Sequence, residues 1–177
     1  MEIDSLGDLT ISVGSTPSVF HHTNGANLPN MEIHPGNYTL FDRQQMWTGA
    51  CGENDVAGRV IARIVGHYED RDTIMVDAGA TALTKEQTPQ GEVFAVGGHP
   101  ELECYKMSQE VSLIRHRDPE VPFPFSSFPL DSVVDLLPNH SCLAAACFDR
   151  YFVIHDENEV VPKDAEVLET WVPAKFF

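Results

Sequence analysis

Positive charge is scarce in this sequence. Lysine and arginine together account for 11 of the 177 residues, whereas aspartate and glutamate account for 27, so the formal net charge is -16. A surface of this sign repels the phosphates of nucleic acids and the head groups of anionic lipids. We therefore expect a protein that binds neither nucleic acid nor a membrane surface.

Long apolar runs and a cysteine framework are also missing. No stretch of about 18 apolar residues is present, so no segment has the length of a membrane-spanning helix. The first residues, MEIDSLGDL, lack the basic and apolar regions of a secretory signal. The four cysteines (Cys51, Cys104, Cys142 and Cys147) are scattered, which is typical of reduced thiols, and a Cys142–Cys147 disulfide is the less favoured alternative. Together these absences predict a cytoplasmic protein.

Short strand-forming runs dominate the rest of the chain. Runs rich in β-branched and aromatic residues alternate with Gly, Pro and Asn, a pattern typical of an antiparallel β domain. One run is ambiguous, because Arg59 and Arg63 stand at helical spacing, but its valines and isoleucines favour a strand. The predicted strands are residues 9–13, 31–34, 56–65, 73–77, 93–96, 105–108, 111–114, 133–137, 151–155 and 167–171.

Two segments are predicted to be loops. Residues 14–30 are too polar and too rich in turn formers for a full helix. Residues 119–129 (PEVPFPFSSFP) contain four prolines, which exclude a central strand, and three phenylalanines. We expect this second segment to be an exposed or docking loop whose phenylalanines contact a partner surface.

A histidine and a cysteine stand two residues apart in LPNHSC, at the edge of an apolar run. In extended backbone, residues i and i+2 point to the same side, so His140 and Cys142 would converge on one point. Nitrogen and sulfur are the ligands that zinc prefers, and a set of two protein ligands leaves coordination positions open, which suits a catalytic site. Two packed core residues are the alternative, because free cysteine is among the most buried residue types. A Cys–His nucleophile pair is a third interpretation.

Two further segments have the composition of anion-binding loops. The first follows strand 9–13 and reads SVGSTPS, which allows close backbone approach at its glycine and offers hydroxyl and amide donors. The second follows strand 31–34 and reads PGNY. Each alone is also consistent with a simple polar turn. Two in succession are what adjacent strands of a β/α barrel present at their C-terminal face, where such barrels bind phosphate.

These segments, taken in order, resemble one known family. The matching stretches are SVGSTPS, EIHPGNYTLFD, GHYEDRDTIMVDAGATALT, GGHPELE, MSQE and LPNHSC. Their order is similar to that of the D-serine dehydratase and D-threonine aldolase group, from about Ile11 to Trp171. The resemblance implies a pyridoxal-phosphate enzyme that has an alanine-racemase-like β/α barrel followed by a C-terminal β domain.

The resemblance implies roles for residues of this chain. His140 and Cys142 would be the ligands of a catalytic zinc ion. This His-x-Cys pair is similar to the pair of the dehydratase branch, whereas the aldolase branch prefers an aspartate in place of the cysteine and a harder metal. The residues that would contact the phosphate of pyridoxal 5'-phosphate are Gly14, Ser15, Thr16, Gly36 and Asn37, with Tyr38 packing nearby.

The family's Schiff-base lysine lies on an early barrel strand, and none of the four lysines here stands at that place; they are Lys85, Lys106, Lys163 and Lys175. We therefore expect a mainly β chain that corresponds to the C-terminal portion of the family and is inactive alone. Residues 1–42 would be the end of the barrel, and residues 43–177 the antiparallel β domain that carries the metal site.

The activity that the resemblance implies is D-serine ammonia-lyase, which converts D-serine to pyruvate and ammonia. Pyridoxal phosphate would assist removal of the Cα proton, and zinc would assist loss of the β-hydroxyl. The partner would be a small-molecule substrate, and the full-length family member would be a homodimer. The alternatives are a D-threonine aldolase-like lyase and a non-catalytic metal-binding β module.

Overall fold

Two short parallel strands open the part of the chain that the computed structural model describes, which is residues 9–21, 30–155 and 165–174. Strand β1 (Ile11–Val13) pairs with β2 (Met31–Ile33), and helix α1 (Thr16–His21) begins two residues after β1. Parallel pairing with a helical crossover is the geometry of consecutive β/α units. The predicted loop 14–30 therefore begins with a short helix, and residues 22–29 lie outside the described residues.

A six-stranded antiparallel sheet forms the centre of the molecule. Its strands are β3 (Val60–Tyr68), β4 (Thr73–Val76), β5 (Phe94–Val96), β6 (Leu102–Met107), β7 (Ser112–His116) and β8 (Val133–Pro138). Their spatial order is β5-β8-β3-β4-β7-β6. The two edge strands, β5 and β6, contact each other, so the sheet is nearly closed.

Alternation of side chains along β3 positions the core. Val60, Ala62 and Ile64 are buried, whereas the residues between them are exposed. This is the period-two pattern of a strand with one covered face. The core inside the curved sheet is completed by fully buried side chains of the other strands, including Ile74, Phe94, Leu102, Ile114 and Leu136.

Short helices and a hairpin complete the described residues. The helices that follow α1 are α2 (Arg43–Trp47), α3 (Ala80–Leu83) and α4 (Ser141–Ala146), and the strands that follow β8 are β9 (Tyr151–Ile154) and β10 (Val167–Trp171). The last two pair antiparallel, with a bulge between Val167 and Glu169. None of the helices in the described part of the chain is long and apolar enough to cross a bilayer.

The predicted fold class is confirmed: the chain is mainly β, with an antiparallel C-terminal domain after a parallel strand pair. The ambiguous run is a strand, but it begins at Val60 and not at Val56. The reason lies in residues 57 and 58, whose backbone N–H groups both donate to the carbonyl of Leu40. The boundary placed after residue 42 stays a prediction.

The expectation for the phenylalanine-rich segment 119–129 is wrong. Phe123 and Phe128 are buried and belong to the core cluster, and Phe125 packs against it. Nε2 of His67 donates a hydrogen bond to the carbonyl oxygen of Phe128 in this segment, at 2.7 Å. The prolines exclude a strand as expected, but the aromatic area is covered by the protein's own core and not by a partner.

Gly79 allows a close backbone contact that a side chain would disrupt. A Cβ added there would lie 2.6 Å from the carbonyl oxygen of Gln109. We expect Gly79→Ala to lower the free energy of unfolding by about 1–3 kcal/mol, because rigid backbone cannot move aside. Urea unfolding followed by circular dichroism measures the change. Gly36→Ala is the control, since its added Cβ meets nothing within 4 Å; equal stability of the two variants would contradict the contact.

Candidate functional site

The loops after β1 and β2 lie side by side, as the sequence predicts. The backbone N–H of Asn37 donates to Oγ1 of Thr16 at 2.9 Å, and both residues are buried. Gly14 has a φ of 120°, and a Cβ added to it would lie 3.4 Å from the backbone nitrogen of His34. The backbone conformation therefore requires glycine here, whereas the added Cβ would make only an ordinary van der Waals contact.

The remaining predicted phosphate-binding residues face outward. Ser15, Gly36 and Tyr38 are all exposed, beside the buried Thr16 and Asn37. The Oδ1 atom of Asn37 is buried and has no hydrogen-bond partner among the described residues. Exposed hydroxyl groups and backbone around a buried polar pair fit the binding of an anionic group such as a phosphate.

Asp42 joins these loops to the rest of the site, and the sequence analysis missed it. Its carboxylate is fully buried and accepts hydrogen bonds from Nδ2 of Asn37, from the backbone N–H of Gln45 at 3.0 Å and from that of Ser141 at 2.9 Å. The bond to Gln45 caps the start of α2. Phe41, just before it, has a φ of 49°, an uncommon conformation for a bulky residue. An aspartate directly before a short polar segment is a typical helix N-cap, and this is the sequence signal that could have pointed to Asp42.

His140 and Cys142 lie at the start of α4, and the geometry expected for them is wrong. Only His140 is extended, with φ -137° and ψ 96°, whereas Cys142 is the second residue of the helix. The helix forms because the N–H of Ala144 donates to the carbonyl of His140 at 3.0 Å. The two side chains are therefore presented by one helical turn, and both are partly accessible.

The thiol of Cys142 is in a negative environment. Burial raises the pKa of this thiol, and the charge of Asp42 raises it further. All four cysteines of the chain are free, so the alternative Cys142–Cys147 disulfide does not form. Neither residue of the pair belongs to the hydrophobic core cluster, which weakens the interpretation of His140 and Cys142 as packed core residues.

Asn139, directly before His140, anchors this turn to the loop that follows α3. Its fully buried side chain donates from Nδ2 to the carbonyl oxygens of Glu86 at 2.7 Å and Glu92 at 2.8 Å, and its Oδ1 accepts from Arg43 at 2.9 Å. The carboxylate of Glu92 forms ion pairs with Arg43 and with Arg117. Burial raises the pKa of Glu92, but the hydrogen bonds and charges of the two arginines outweigh it, so the pKa is lowered.

The assignment of His140 and Cys142 as metal ligands stays a prediction. Across residues 9–21, 30–155 and 165–174, no group of three or more His, Cys, Asp or Glu side chains is placed to hold a metal. One imidazole nitrogen and one sulfur form a donor set that fits zinc better than a hard cation. Such a pair leaves coordination positions for water or a substrate.

Comparison with known proteins assigns a family. Residues 57–154, more than half of the chain, match the family model described as "Putative serine dehydratase domain". The chain belongs to this serine dehydratase domain family. The matched region includes β3 to β9 and the His140–Cys142 turn, and the family resemblance read from the sequence is confirmed.

Curated relatives of this serine dehydratase domain extend over most of the chain. A D-serine dehydratase of Dictyostelium discoideum is 36% identical in an alignment of 162 positions that covers 86% of this chain and 41% of the relative. A D-serine dehydratase of Schizosaccharomyces pombe is 32% identical in an alignment of 186 positions, gaps included, that covers 98% of this chain and 42% of the relative. The chain therefore spans about two fifths of the length of these relatives.

Solved structures with the same fold include D-threo-3-hydroxyaspartate dehydratase from Delftia sp. HT23. It has a TM-score of 0.70 and 26% identity, over 92% of this chain and 45% of that chain. A cysteine-to-alanine variant of D-threo-3-hydroxyaspartate dehydratase in the metal-free form matches with TM-score 0.69 and 25% identity, over 92% and 45%. A histidine-to-alanine variant, changed two positions before that cysteine, matches with TM-score 0.71 and 26% identity, over 92% and 43%.

The Glu92 network predicts a pH-dependent contribution to stability. A carboxyl whose pKa is lowered by folding stabilises the protein above its ordinary pKa, and it loses that contribution as the pH falls from there through the lowered pKa of the folded state. We expect Glu92→Gln to lower the free energy of unfolding by roughly 1–3 kcal/mol at neutral pH, the contribution of hydrogen bonds to charged groups. The deficit relative to wild type should shrink as the pH falls below about 5.

Urea unfolding at stepped pH values measures this deficit. Glu110→Gln, which removes an exposed carboxylate, is the control. A Glu92→Gln deficit that stays constant into the acid range would contradict the ion-pair assignment.

Proposed function

We propose that this chain carries the metal site and the phosphate-binding loops of a D-serine dehydratase-type lyase, which converts D-serine to pyruvate and ammonia. The observation that carries the proposal is the shared contact at Asp42. One buried carboxylate holds Asn37 of the strand-end loop and the backbone of Ser141, which stands between His140 and Cys142. Asp42 thereby connects the proposed phosphate-binding loops directly to the turn that carries the proposed metal ligands.

The relatives support both the reaction and the metal. The curated relatives reported above are D-serine dehydratases. D-threo-3-hydroxyaspartate dehydratase has been studied as a cysteine variant in a metal-free form and as a histidine variant two positions earlier. This is the spacing of His140 and Cys142. We therefore assign the imidazole of His140 and the sulfur of Cys142 as the metal ligands.

When bound, zinc would supply a Lewis acid for the departing β-hydroxyl, and pyridoxal phosphate would supply an electron sink for the Cα carbanion. His140 and Cys142 would hold the metal at the start of α4. The hydroxyl of Ser15 and the backbone donors of residues 14–16 and 36 would bind the cofactor phosphate, with the N–H of Asn37 holding Thr16 below them and Tyr38 packing nearby. Lys85 and Lys106 are exposed in the β domain. We propose that covalent cofactor attachment belongs to the three fifths of the relatives' length that this chain does not span.

Metal content tests the ligand assignment. The wild-type chain should bind about one zinc ion per molecule, and His140→Ala or Cys142→Ala should abolish stoichiometric binding, because each removes one of two protein ligands. Cys147→Ala is the matched control, since Cys147 is an exposed thiol at the end of the same helix. Elemental analysis after dialysis gives the result. Equal zinc in wild type and in Cys142→Ala would reject the assignment.

Activity tests the reaction. The chain fused to the part of the Dictyostelium relative that precedes the matched region should release pyruvate from D-serine and not from L-serine. In that fusion, His140→Ala should lower turnover by about 100-fold or more, because Lewis-acid stabilisation of the leaving group is worth several kcal/mol. Cofactor absorbance should remain, since the metal acts on the leaving group. A zinc-loaded, cofactor-loaded fusion without D-serine turnover would reject the proposed reaction.

A further inference from the structure

Glu86 contacts the ring of His140 from the side of the loop that follows α3. Its Oε2 atom lies 2.8 Å from Nδ1 of His140, and the same oxygen accepts a hydrogen bond from Nε2 of Gln44 at 2.7 Å. Gln44 belongs to α2, so a strand-end turn, a loop and a helix meet at one carboxylate oxygen.

The chemistry of this contact determines the tautomer of His140. A carboxylate accepts hydrogen bonds and cannot donate them, so the proton between Nδ1 and Oε2 belongs to Nδ1. A neutral imidazole with its proton on Nδ1 has its lone pair on Nε2. Nε2 is then the ring atom available to a metal. Metal-bound histidines in proteins commonly donate their other N–H to a carboxylate in this way.

The position of Glu86 is itself fixed by the neighbour of His140. Nδ2 of Asn139 donates to the carbonyl oxygen of Glu86 at 2.7 Å, and the N–H of Gln44 donates to the carbonyl of Asn139 at 3.2 Å. Asn139 is fully buried. Hydrogen bonds of Asn139 therefore hold the backbone of His140 and the backbone of Glu86 in fixed relative positions, one residue away from the contact between the two side chains.

The Glu86–His140 pair contributes little to the stability of the fold. The side chains of His140 and Glu86 are 29% and 38% exposed. Pairs with this much exposure contribute little to folding, because water screens them. Screening by water does not remove the effect of Glu86 on the orientation of the His140 ring, since that effect needs only a preferred geometry.

We propose that Glu86 is a positioning residue that holds His140 in the Nδ1–H tautomer with Nε2 directed to the metal. The part of the inference that concerns the metal rests on the proposed function, whereas the part that concerns the tautomer does not. Loss of a carboxylate partner of a metal-bound histidine commonly weakens metal binding by 10–100-fold. We expect a weakening of about that size in Glu86→Ala, measured by competition with a zinc-binding dye.

Two other variants sharpen the zinc measurement. Glu86→Gln keeps an oxygen that accepts from Nδ1 but removes the charge, so its zinc affinity should lie between wild type and Glu86→Ala. Glu101→Ala is the matched control, because Oε1 of Glu101 pairs with Nδ1 of His99 at 3.0 Å and with similar exposure in the turn between β5 and β6. It should bind zinc as wild type does. Wild-type zinc affinity in both Glu86 variants would overturn the proposal.

The zinc-free protein gives a second, independent readout. Long-range proton–nitrogen correlation spectra of the imidazoles, recorded in mildly alkaline solution, distinguish the two neutral tautomers. His140 should be protonated on Nδ1 in wild type and Glu86→Gln, and should shift toward Nε2 protonation in Glu86→Ala. An Nε2-protonated His140 in wild type, or an unchanged tautomer in Glu86→Ala, would overturn the proposal. If wild type bound no zinc, the metal assignment would fail while these spectra still decided the role of Glu86.

Discussion

The candidate site depends on one buried carboxylate. Asp42 is fully buried, and a charge in that position is tolerated only when hydrogen bonds satisfy it. Its donors come from Asn37, Gln45 and Ser141, which belong to a strand-end loop, to α2 and to α4. Ser141 is 99 residues away in the chain. Satisfying this single group therefore requires the loop, both helices and the end of β8 to meet.

The start of α4 is held from two sides. Asp42 binds the backbone of Ser141, between the two proposed ligands, and Glu86 binds the ring of His140. The chain enters this turn from β8, a buried strand between β3 and β5. Sites supported by regular elements and by further hydrogen bonds are held more accurately than sites on free loops. The proposed pair of ligands would need such support, because two residues would supply few bonds to a metal ion.

Much of this molecule could be predicted from local sequence. Alternating β-branched residues determine strands such as β3 and β4, since the pattern and the structure share a period of two residues. Gly14 could be identified because a glycine directly after a strand marks a turn, and its φ of 120° is one that residues with a Cβ rarely adopt. His140 and Cys142 were candidates by residue type and spacing alone, and the comparison with known proteins confirmed the family that their motif indicated.

The remaining features depend on contacts between distant residues, which local patterns do not contain. Asp42 and Glu86 are ordinary acidic residues in the sequence, and only folding brings one against Ser141 and the other against His140. The helical turn after His140 was predicted as extended because a six-residue helix has almost no periodicity to detect, and its form is set by tertiary contacts. The composition of segment 119–129 is equally consistent with phenylalanines that contact a partner and with phenylalanines that pack into the protein's own core. The sequence by itself determined the strands, the strand-end loops and the candidate ligand types. The tertiary structure alone decided which carboxylates hold these segments, because burial and hydrogen bonding are properties of the packed chain.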